Sequence, residues 1–482
     1  MPSKRFSSQG DLSAPSMQRE GFRLMRSYHE IMDRATTGPY ITEEDWDLNK
    51  VAMTTRRLVE NHGLEWDREN VVPDDPGLAD AVFEAGLELA CELGAYSRST
   101  ERIIQFESGE LEEGLRRMPQ TLVMGEGKDA RTLYSREIMD DRLPIVWAGN
   151  PGAPTPEELF LPCVLSWMQE SIVDLVTCGT LTHVDGREVR TADPIEITST
   201  RRELQYMRQG LKRVGRPGMG MLAAQSSVSE LGDLAVAHPD YLRPCDSHLV
   251  PMLNELKMDN RNVARAVNSI EYGMRNASLP CVIVGGLGGD APGAAIVNVA
   301  SFILSNLTCL ADYHLCHPIH IRHVATSTRS VLWVESIVEQ AFARNAPCII
   351  VSDIYPKSGA LTRELLYETA ANAIVITVSG GHLEGCGSAD GIAPNGTGLE
   401  ARFMGEVGHA VARQGMSLAE ANSITLKLLE KYEHVFDNPE GNPGVRFDHA
   451  YDLQTLRPVP EWRQMYVEVK SEVRAMGLET LP

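Results

Sequence analysis

The C-terminal two thirds of the chain alternate short apolar runs with amphipathic stretches, and this rhythm restricts the fold more than any other feature. The runs are PIVWAG (144–149), SIVDLVTCG (171–179), GMGMLAA (218–224), SHLVPML (247–253), PCVIVGG (280–286), PIHIRHVAT (318–326), PCIIVSD (347–353) and NAIVITVSGG (372–381). Continuous apolar runs are typical of parallel strands that are covered on both faces. Eight such strands with helices between them predict an α/β fold, the TIM (β/α)8 barrel, with a doubly wound sheet as the alternative.

The remaining segments predict extra helices on both sides of the barrel. We expect a disordered tail over 1–18, an N-terminal helical region over 19–140, and a barrel with C-terminal helices, packed as one unit, over 141–482. In ITEEDWDL, Thr42 can cap a helix and Asp45 can reach back to complete a variant of the capping box. DPGLADAVFEAGLELACEL (75–93) has apolar residues at helical spacing.

Charge and cysteine usage limit the partners and the compartment. The net charge of −21 argues against binding to nucleic acid and against stable association with anionic membranes. The nine cysteines are scattered without a CxxC pair, which is typical of reduced thiols in a cytoplasmic protein. The first residues lack the apolar core of a signal peptide, and no uninterrupted apolar stretch reaches the length of a membrane span. We therefore expect a cytoplasmic protein.

The barrel topology by itself nominates candidate site residues, because TIM barrels carry their chemistry where the strands end. These candidates are Trp147, 222–227, Asn254, Asp290, Thr326, Asp353, Tyr355 and 379–382.

DYHLCHPIHIRH (312–323) is rich in His and Cys, but we do not expect a metal site in it. His320 and Arg322 are two residues apart on the predicted strand and share a face, whereas His323 lies on the opposite face. Cys316 and His317 precede the predicted strand. The pattern favours structural histidines over metal ligands.

Two further motifs match cofactor signatures only in part. GGLGGDA (285–291) fits G-x-G-x-x-A after an apolar run, but the next strand ends without the acidic residue that a dinucleotide site needs. DYHLCH (312–317) partly matches the D-x-H-x-x-G signature of cobalamin-binding proteins, with His317 in place of the glycine. We therefore expect that the chain carries no corrinoid of its own.

Five stretches are specific enough to indicate a family. EEDWDL (43–48), GRPGMG (215–220), DSHLVPMLNELK (246–257), PIHIR (318–322) and TGLEARFMGEV (397–407) resemble the monomethylamine:corrinoid methyltransferase family, in order over nearly the whole chain. The resemblance implies a TIM-barrel enzyme that moves a methyl group from an amine to Co(I) of a separate corrinoid protein. It also implies a homo-oligomer, with the hexamer as the family's form.

The resemblance also shows that the site has been rebuilt. The family's pyrrolysine, two residues after GRPGMG, is replaced here by Leu222. Nearby family carboxylates align with Leu249 and Ala277, a family glutamine aligns with Asp353, and Gln225 stands in place of a glutamate. This chain is therefore a homologue without pyrrolysine, and monomethylamine itself is in doubt as its substrate.

Methyl transfer needs a cationic nitrogen, because a neutral amine would have to leave as an amide anion. Trp147 and Tyr355 could surround an N-methylated cation, although packing roles for both stay open. Asp353 could supply the opposite charge, or form a salt bridge with Arg322 or Lys357 instead.

The other candidate residues would shape the pocket around such a cation. Leu222, Leu249 and Ala277 would form an apolar wall, and Arg322 could bind a substrate carboxylate or an internal partner. Two other functions stay open: a metal-assisted TIM-barrel hydrolase that uses His320, and a non-catalytic homologue that docks a corrinoid protein.

Overall fold

The structure, a computed structural model, describes residues 28–150, 152–177, 179–223, 226–385, 389, 394 and 396–482. Eight strands pair in chain order, each parallel to the next, and the last pairs with the first to close a barrel. They are β1 Val146–Ala148, β2 Leu175–Thr177, β3 Met221–Ala223, β4 Ser247–Met252, β5 Arg275–Pro280, β6 Tyr313–Cys316, β7 Ile350–Ile354 and β8 His382–Gly385. The predicted TIM barrel is confirmed.

One helix follows each barrel strand. These helices are α1 Glu157–Met168, α2 Pro194–Arg213, α3 Glu230–Val236, α4 Asn260–Tyr272, α5 Ala291–Thr308, α6 Arg329–Asn345, α7 Arg363–Ser379 and α8 Gly398–Gln414. The C-terminal helices are α9 Leu418–Tyr432, α10 Phe447–Ala450 and α11 Pro460–Ala475. Side-chain caps start several of them; for example, Asp193 accepts from the backbone N–H of Ile195 at the start of α2.

Two of the predicted strands lie outside the barrel wall. The runs 280–286 and 318–326 begin as β5 and β6 end, and their apolar segments Ile283–Val284 and Ile319–His320 pair with each other in a separate small sheet. The true strands carry buried polar side chains toward the helices: Ser278 Oγ lies 2.6 Å from His314 Nδ1. Such polar side chains can be buried because they form hydrogen bonds with each other. The sequences of β5 and β6 are therefore not continuous apolar runs.

The predicted last strand, 372–381, is also wrong, because most of it belongs to α7. This helix is buried on nearly every side, so its sequence lacks an amphipathic stripe. Periodicity cannot distinguish a buried helical segment of this kind from a buried strand. The eighth strand follows directly, at His382–Gly385.

The N-terminal region is only partly helical, contrary to the expectation for 19–140. Its helices are Glu43–Asp45, the π-helix Trp46–Ala52, Met53–Asn61, Pro76–Leu93 and Ser108–Arg117. Its strands are Ala95–Ser97 and Arg102–Ile104, which form a sheet with Lys257–Met258, and the hairpin strands Thr121–Met124 and Arg131–Tyr134. The predicted division of the chain at 18 and 140 stays a prediction, and residues 1–18 lie outside the described part.

The two helices that the sequence indicates in this region are confirmed, the first with Thr42 as its cap. Thr42 Oγ1 accepts from the backbone N–H of Asp45 at 3.1 Å, and its hydroxyl donates to the Asp45 carboxylate at 3.0 Å. Asp75 caps the helix Pro76–Leu93.

The hairpin 121–134 covers the end of the barrel where the strands begin, and the glycines of the GRPGMG motif let the hairpin backbone approach closely. Leu122 and Leu133 of the hairpin belong to the apolar cluster inside the barrel. A Cβ atom on Gly218 would lie 2.2 Å from the Glu126 carbonyl oxygen, and one on Gly220 would also meet the hairpin backbone. The two glycines are therefore needed for the close approach of two backbones.

Two other family motifs fasten the N-terminal helices to the barrel. Lys257 Nζ, which is buried, lies 2.9 Å from Glu43 Oε1 and 2.7 Å from Asp47 Oδ1. The indole N–H of Trp46 donates to the Glu255 carbonyl at 3.0 Å. EEDWDL and LNELK are thus two halves of one interface.

Among the described residues, α5 is long and apolar enough to cross a membrane by length and composition. In this structure 89% of that segment is buried inside the protein, where it packs against Pro76–Leu93 and α6. This is the environment of a core helix.

We expect Gly218→Ala to lower the free energy of unfolding by about 1–3 kcal/mol, because the new methyl group overlaps the hairpin backbone. Urea denaturation measures the change. Gly109→Ala is the matched control: its Cβ would meet no atom within 4 Å, so its stability should not fall. Equal free energies of unfolding for the two variants would contradict the close approach of the Gly218 and hairpin backbones.

Candidate active site

Five adjacent strands bring chemically active side chains into one row near their C-terminal ends. Asp353 of β7 lies opposite Glu384 of β8, and Glu384 lies opposite Trp147 of β1. His317 directly follows β6, and Cys281 directly follows β5. We call these five residues the mouth row.

The strand register places the first three members of the row side by side. Ser278 pairs with His314 before this point, and Ile283 pairs with Ile319 after it, with the same difference in residue number. Cys281 and His317 have that difference too, so they face each other. His317 comes one position after the pair Cys316–Ser352, which puts it opposite Asp353. The contact agrees, since His317 Nδ1 lies 3.1 Å from Asp353 Oδ2.

The charges in the row shift each other's protonation. Burial by itself lowers the pKa of the His317 imidazole, but the neighbouring Cys281 and Asp353 side chains raise it well above its ordinary value. Burial raises the pKa of the Glu384 carboxyl well above its ordinary value, and the charge and hydrogen bond of Asp353 raise it further. His317 and the Thr177 hydroxyl oppose this rise. The row therefore favours an imidazolium at His317 and a protonated carboxyl at Glu384.

Two carboxyl oxygens of the row lack a hydrogen-bond partner among the described residues. They are Asp353 Oδ1 and Glu384 Oε2, on side chains whose residues are only 4% and 1% exposed. A buried acceptor without a partner is costly, so this arrangement suits a ligand that donates hydrogen bonds or carries positive charge.

Tyr355 stands between the row and the outside. Its ring packs edge-on against His317, with 5.1 Å between the ring centroids, and it is partly exposed. Its backbone N–H donates to Thr326 Oγ1 at 2.9 Å. The predicted strand-end positions of Asp353 and Tyr355 thus converge on one site.

Four candidate residues, among them Trp147 of the mouth row, lie deeper, in the apolar filling of the barrel. Trp147, Leu222 and Ala277 are fully buried, and Leu249 packs against the same cluster. The Trp147 ring stacks on Tyr313 at 5.8 Å, which favours the packing role that the sequence left open, and its Nε1 has no partner among the described residues. Leu222 closes the floor below the mouth row.

The loop that follows Leu222 is held by buried carboxylates of α2. Glu203 accepts from the backbone N–H of Ser226 at 2.7 Å, and Glu196 accepts from the Ser229 hydroxyl at 2.8 Å. The His248 ring bonds to the Ala223 carbonyl oxygen at 2.9 Å. Gln225, a candidate substrate-binding residue, lies outside the described residues.

Arg322 does not share a strand face with His320, because the small strand ends at His320 and a turn follows. Arg322 is exposed in this turn, and its backbone N–H donates to His320 Nδ1 at 3.1 Å. The His320 and His323 rings stack at 4.6 Å instead of lying on opposite faces. In the part of the chain that the structure describes, no three His, Cys, Asp or Glu side chains are arranged to hold a metal ion.

His317, Glu384 and Cys281 are candidate site residues that the sequence patterns do not indicate. Because the predicted sixth strand begins at 318 and the predicted eighth ends at 381, His317 falls before a strand and Glu384 after one. Signals were present in both cases: His317 is part of the DYHLCH motif, and Glu384 follows a glycine pair in GGHLEG. Cys281 has no local signal beyond its place at the start of an apolar run.

Comparisons with known proteins identify the family of this chain. The family model described as "Monomethylamine methyltransferase MtmB" matches residues 27–478. Monomethylamine methyltransferase MtmB1 of Methanosarcina barkeri and MtmB of Methanosarcina mazei are each 32% identical over 463 residues, which cover 95% of this chain and 99% of each relative.

A solved structure extends the similarity to three dimensions. The crystal structure of the Methanosarcina barkeri monomethylamine methyltransferase superimposes with a TM-score of 0.90 at 30% identity, over 93% of this chain and 98% of that one. The resemblance drawn from the sequence motifs is confirmed. The chain therefore belongs to the monomethylamine methyltransferase MtmB family.

Proposed function

We propose that this protein transfers a methyl group from an N-methylated, cationic amine to Co(I) of a separate corrinoid protein. The observation that carries the proposal is the mouth row of this methylamine methyltransferase family member. There Asp353 and Glu384 present buried carboxyl oxygens that have no hydrogen-bond partner among the described residues. The relatives' names give monomethylamine as their substrate. Leu222 in place of pyrrolysine supports a different, larger amine here.

The partner's corrinoid, when bound, supplies the Co(I) nucleophile that accepts the methyl group. The residues of this chain position the donor. The carboxyl groups of Asp353 and Glu384 hold the nitrogen as a cation, so that it leaves as a neutral amine. Tyr355 offers a ring face or edge to the N-methyl groups, and Leu222 excludes water from below.

The remaining candidate residues keep secondary roles in the proposal. Leu249 and Ala277 would complete the apolar floor with Leu222, and Trp147 would support it by packing. Arg322 and Gln225 would contact a substituent of the substrate that extends toward the surface; both assignments are predictions.

The buried histidine of the DYHLCH motif supports a corrinoid held by the partner. His314, at the position of the cobalt-binding histidine in that signature, is fully buried, and burial lowers its pKa to about 3. Its ring stacks on Phe302 at 4.4 Å and its Nδ1 contacts Ser278. The His314 side chain is buried between β6 and α5, so it cannot reach the cobalt of a corrinoid bound at the mouth.

The partner would dock over the mouth, where the loops after β4, β5 and β6 surround an apolar cavity of about 410 Å³. Ile321 and Val324 are exposed at its rim. We also propose a cytoplasmic homo-oligomer, with the family's hexamer as the specific expectation. The hydrolase alternative is less favoured, because the described His, Cys, Asp and Glu side chains form no metal-binding group of three.

We expect NMR titration of ring-labelled histidine to show His317 protonated well above pH 6.5. In Asp353→Asn the pKa of His317 should fall, because one of the groups that raise it is lost while burial still lowers it. His320, whose pKa is lowered by burial, is the internal control and should not respond. A neutral His317 at pH 7 in the wild type would contradict the proposed charge pattern.

Methyl transfer to free cob(I)alamin tests the activity with a panel of methylamines, N-methyl amino acids and betaines. For the best substrate, we expect Asp353→Asn and Glu384→Gln each to lower kcat/KM roughly 100-fold, the scale of a lost charged hydrogen bond. Asp312→Asn removes a carboxylate at the opposite end of β6 and should keep full activity.

Two results would contradict this assignment: monomethylamine as the best substrate, or full activity of both mouth-row variants. Transfer from no compound at all would favour the docking homologue without catalysis.

We expect the purified protein to contain no stoichiometric corrinoid after gel filtration, because the cofactor belongs to the partner. Visible absorbance of the purified protein measures the amount of corrinoid per chain, and a ratio of about one marks stoichiometric binding. A coloured protein that keeps one corrinoid per chain would show that the chain binds the cofactor itself.

A further inference from the structure

We propose that the mouth row selects a secondary N-methylammonium ion, R–NH₂⁺–CH₃, and discriminates against quaternary ammonium ions. This inference rests on the proposed function and narrows its substrate class. It depends on which acceptor atoms of the row are free, on the scarcity of exposed aromatic faces, and on the charge that the row can compensate.

The number of free acceptors matches the number of N–H groups in such an ion. Asp353 Oδ2 faces His317, and the Glu384 carboxyl lies beside Asp353 and the Thr177 hydroxyl, both of which shift its pKa. This leaves Asp353 Oδ1 and Glu384 Oε2 without partners among the described residues. A secondary ammonium ion has two N–H donors, one for each oxygen, whereas a quaternary ion has none and leaves both acceptors buried and unpaired.

The aromatic surroundings of the row do not suit a quaternary ion. Such ions are held by cages of several ring faces. Among the described aromatic rings in and beside the row, Trp147 is fully buried against Tyr313, and only Tyr355 is partly exposed. Tyr355 presents one ring, which does not form a cage by itself.

Charge balance suits a monocation, and the hydrogen bonds that its binding must replace select the class of ion. With His317 as an imidazolium and one proton held on the carboxyl pair, the row is close to neutral before binding. A bound ammonium ion displaces that proton to solvent, and two carboxylates then compensate the imidazolium and the ligand. The hydrogen bonds from the two N–H groups replace the displaced O–H, which a quaternary ion cannot do.

Isothermal titration of the full chain, without corrinoid, tests the proposal with methylammonium, dimethylammonium, trimethylammonium and tetramethylammonium. These ions carry the same charge and three, two, one and no N–H groups. We expect the affinity to be highest for dimethylammonium, the smallest ion of the proposed class, and about tenfold or more above tetramethylammonium. In Glu384→Gln the preference should shrink severalfold, while Asp312→Asn, at the other end of the barrel, should keep the wild-type order.

The order of affinities in the wild type decides the proposal without relying on the folding of any variant. A maximum at methylammonium, trimethylammonium or tetramethylammonium, or equal affinities for all four ions, would overturn it. The result is separate from the proposed function: methyl transfer from a quaternary compound to cob(I)alamin would uphold that function and refute this selectivity. Highest affinity for dimethylammonium, without methyl transfer from any compound, would uphold this selectivity and refute the proposed function.

Discussion

Closure of the eight-stranded barrel is the constraint on which the other features depend. A closed barrel has a small interior, and here the lower part is filled by strand side chains and by Leu122 and Leu133 of the hairpin. The part of the interior that can hold a substrate is therefore the one at the C-terminal ends of the strands. Residues that follow one another across β5, β6, β7, β8 and β1 therefore form one row, although they are far apart in the sequence.

The mouth row concentrates groups that are costly to bury singly. A carboxylate or imidazolium in a dry interior needs a partner, and His317 and Asp353 supply each other with one. The Glu384 carboxyl is instead held neutral, because burial and the neighbouring Asp353 raise its pKa. Enzymes often use such raised pKa values at sites that receive a charge only when the substrate binds.

The long sequence motifs mostly serve the scaffold. GRPGMG lets the hairpin approach the bottom of the barrel, and EEDWDL and LNELK attach the N-terminal helices through Lys257 and Trp46. TGLEARFMGEV begins α8 with a capping box between Thr397 and Glu400. These motifs identify the family because they preserve its architecture.

The sequence by itself determined the fold class, the family and part of the site. The apolar runs were sufficient to indicate a barrel, and the positions of Asp353 and Tyr355 at the end of the seventh run placed both residues at the mouth. The tertiary structure decided where β5, β6 and β8 begin, because their buried polar side chains and the apolar helix α7 obscure the strand signal. It thereby decided that His317, Glu384 and Cys281 join Asp353: parallel register between distant strands brings them together, and no local pattern in the chain records that register.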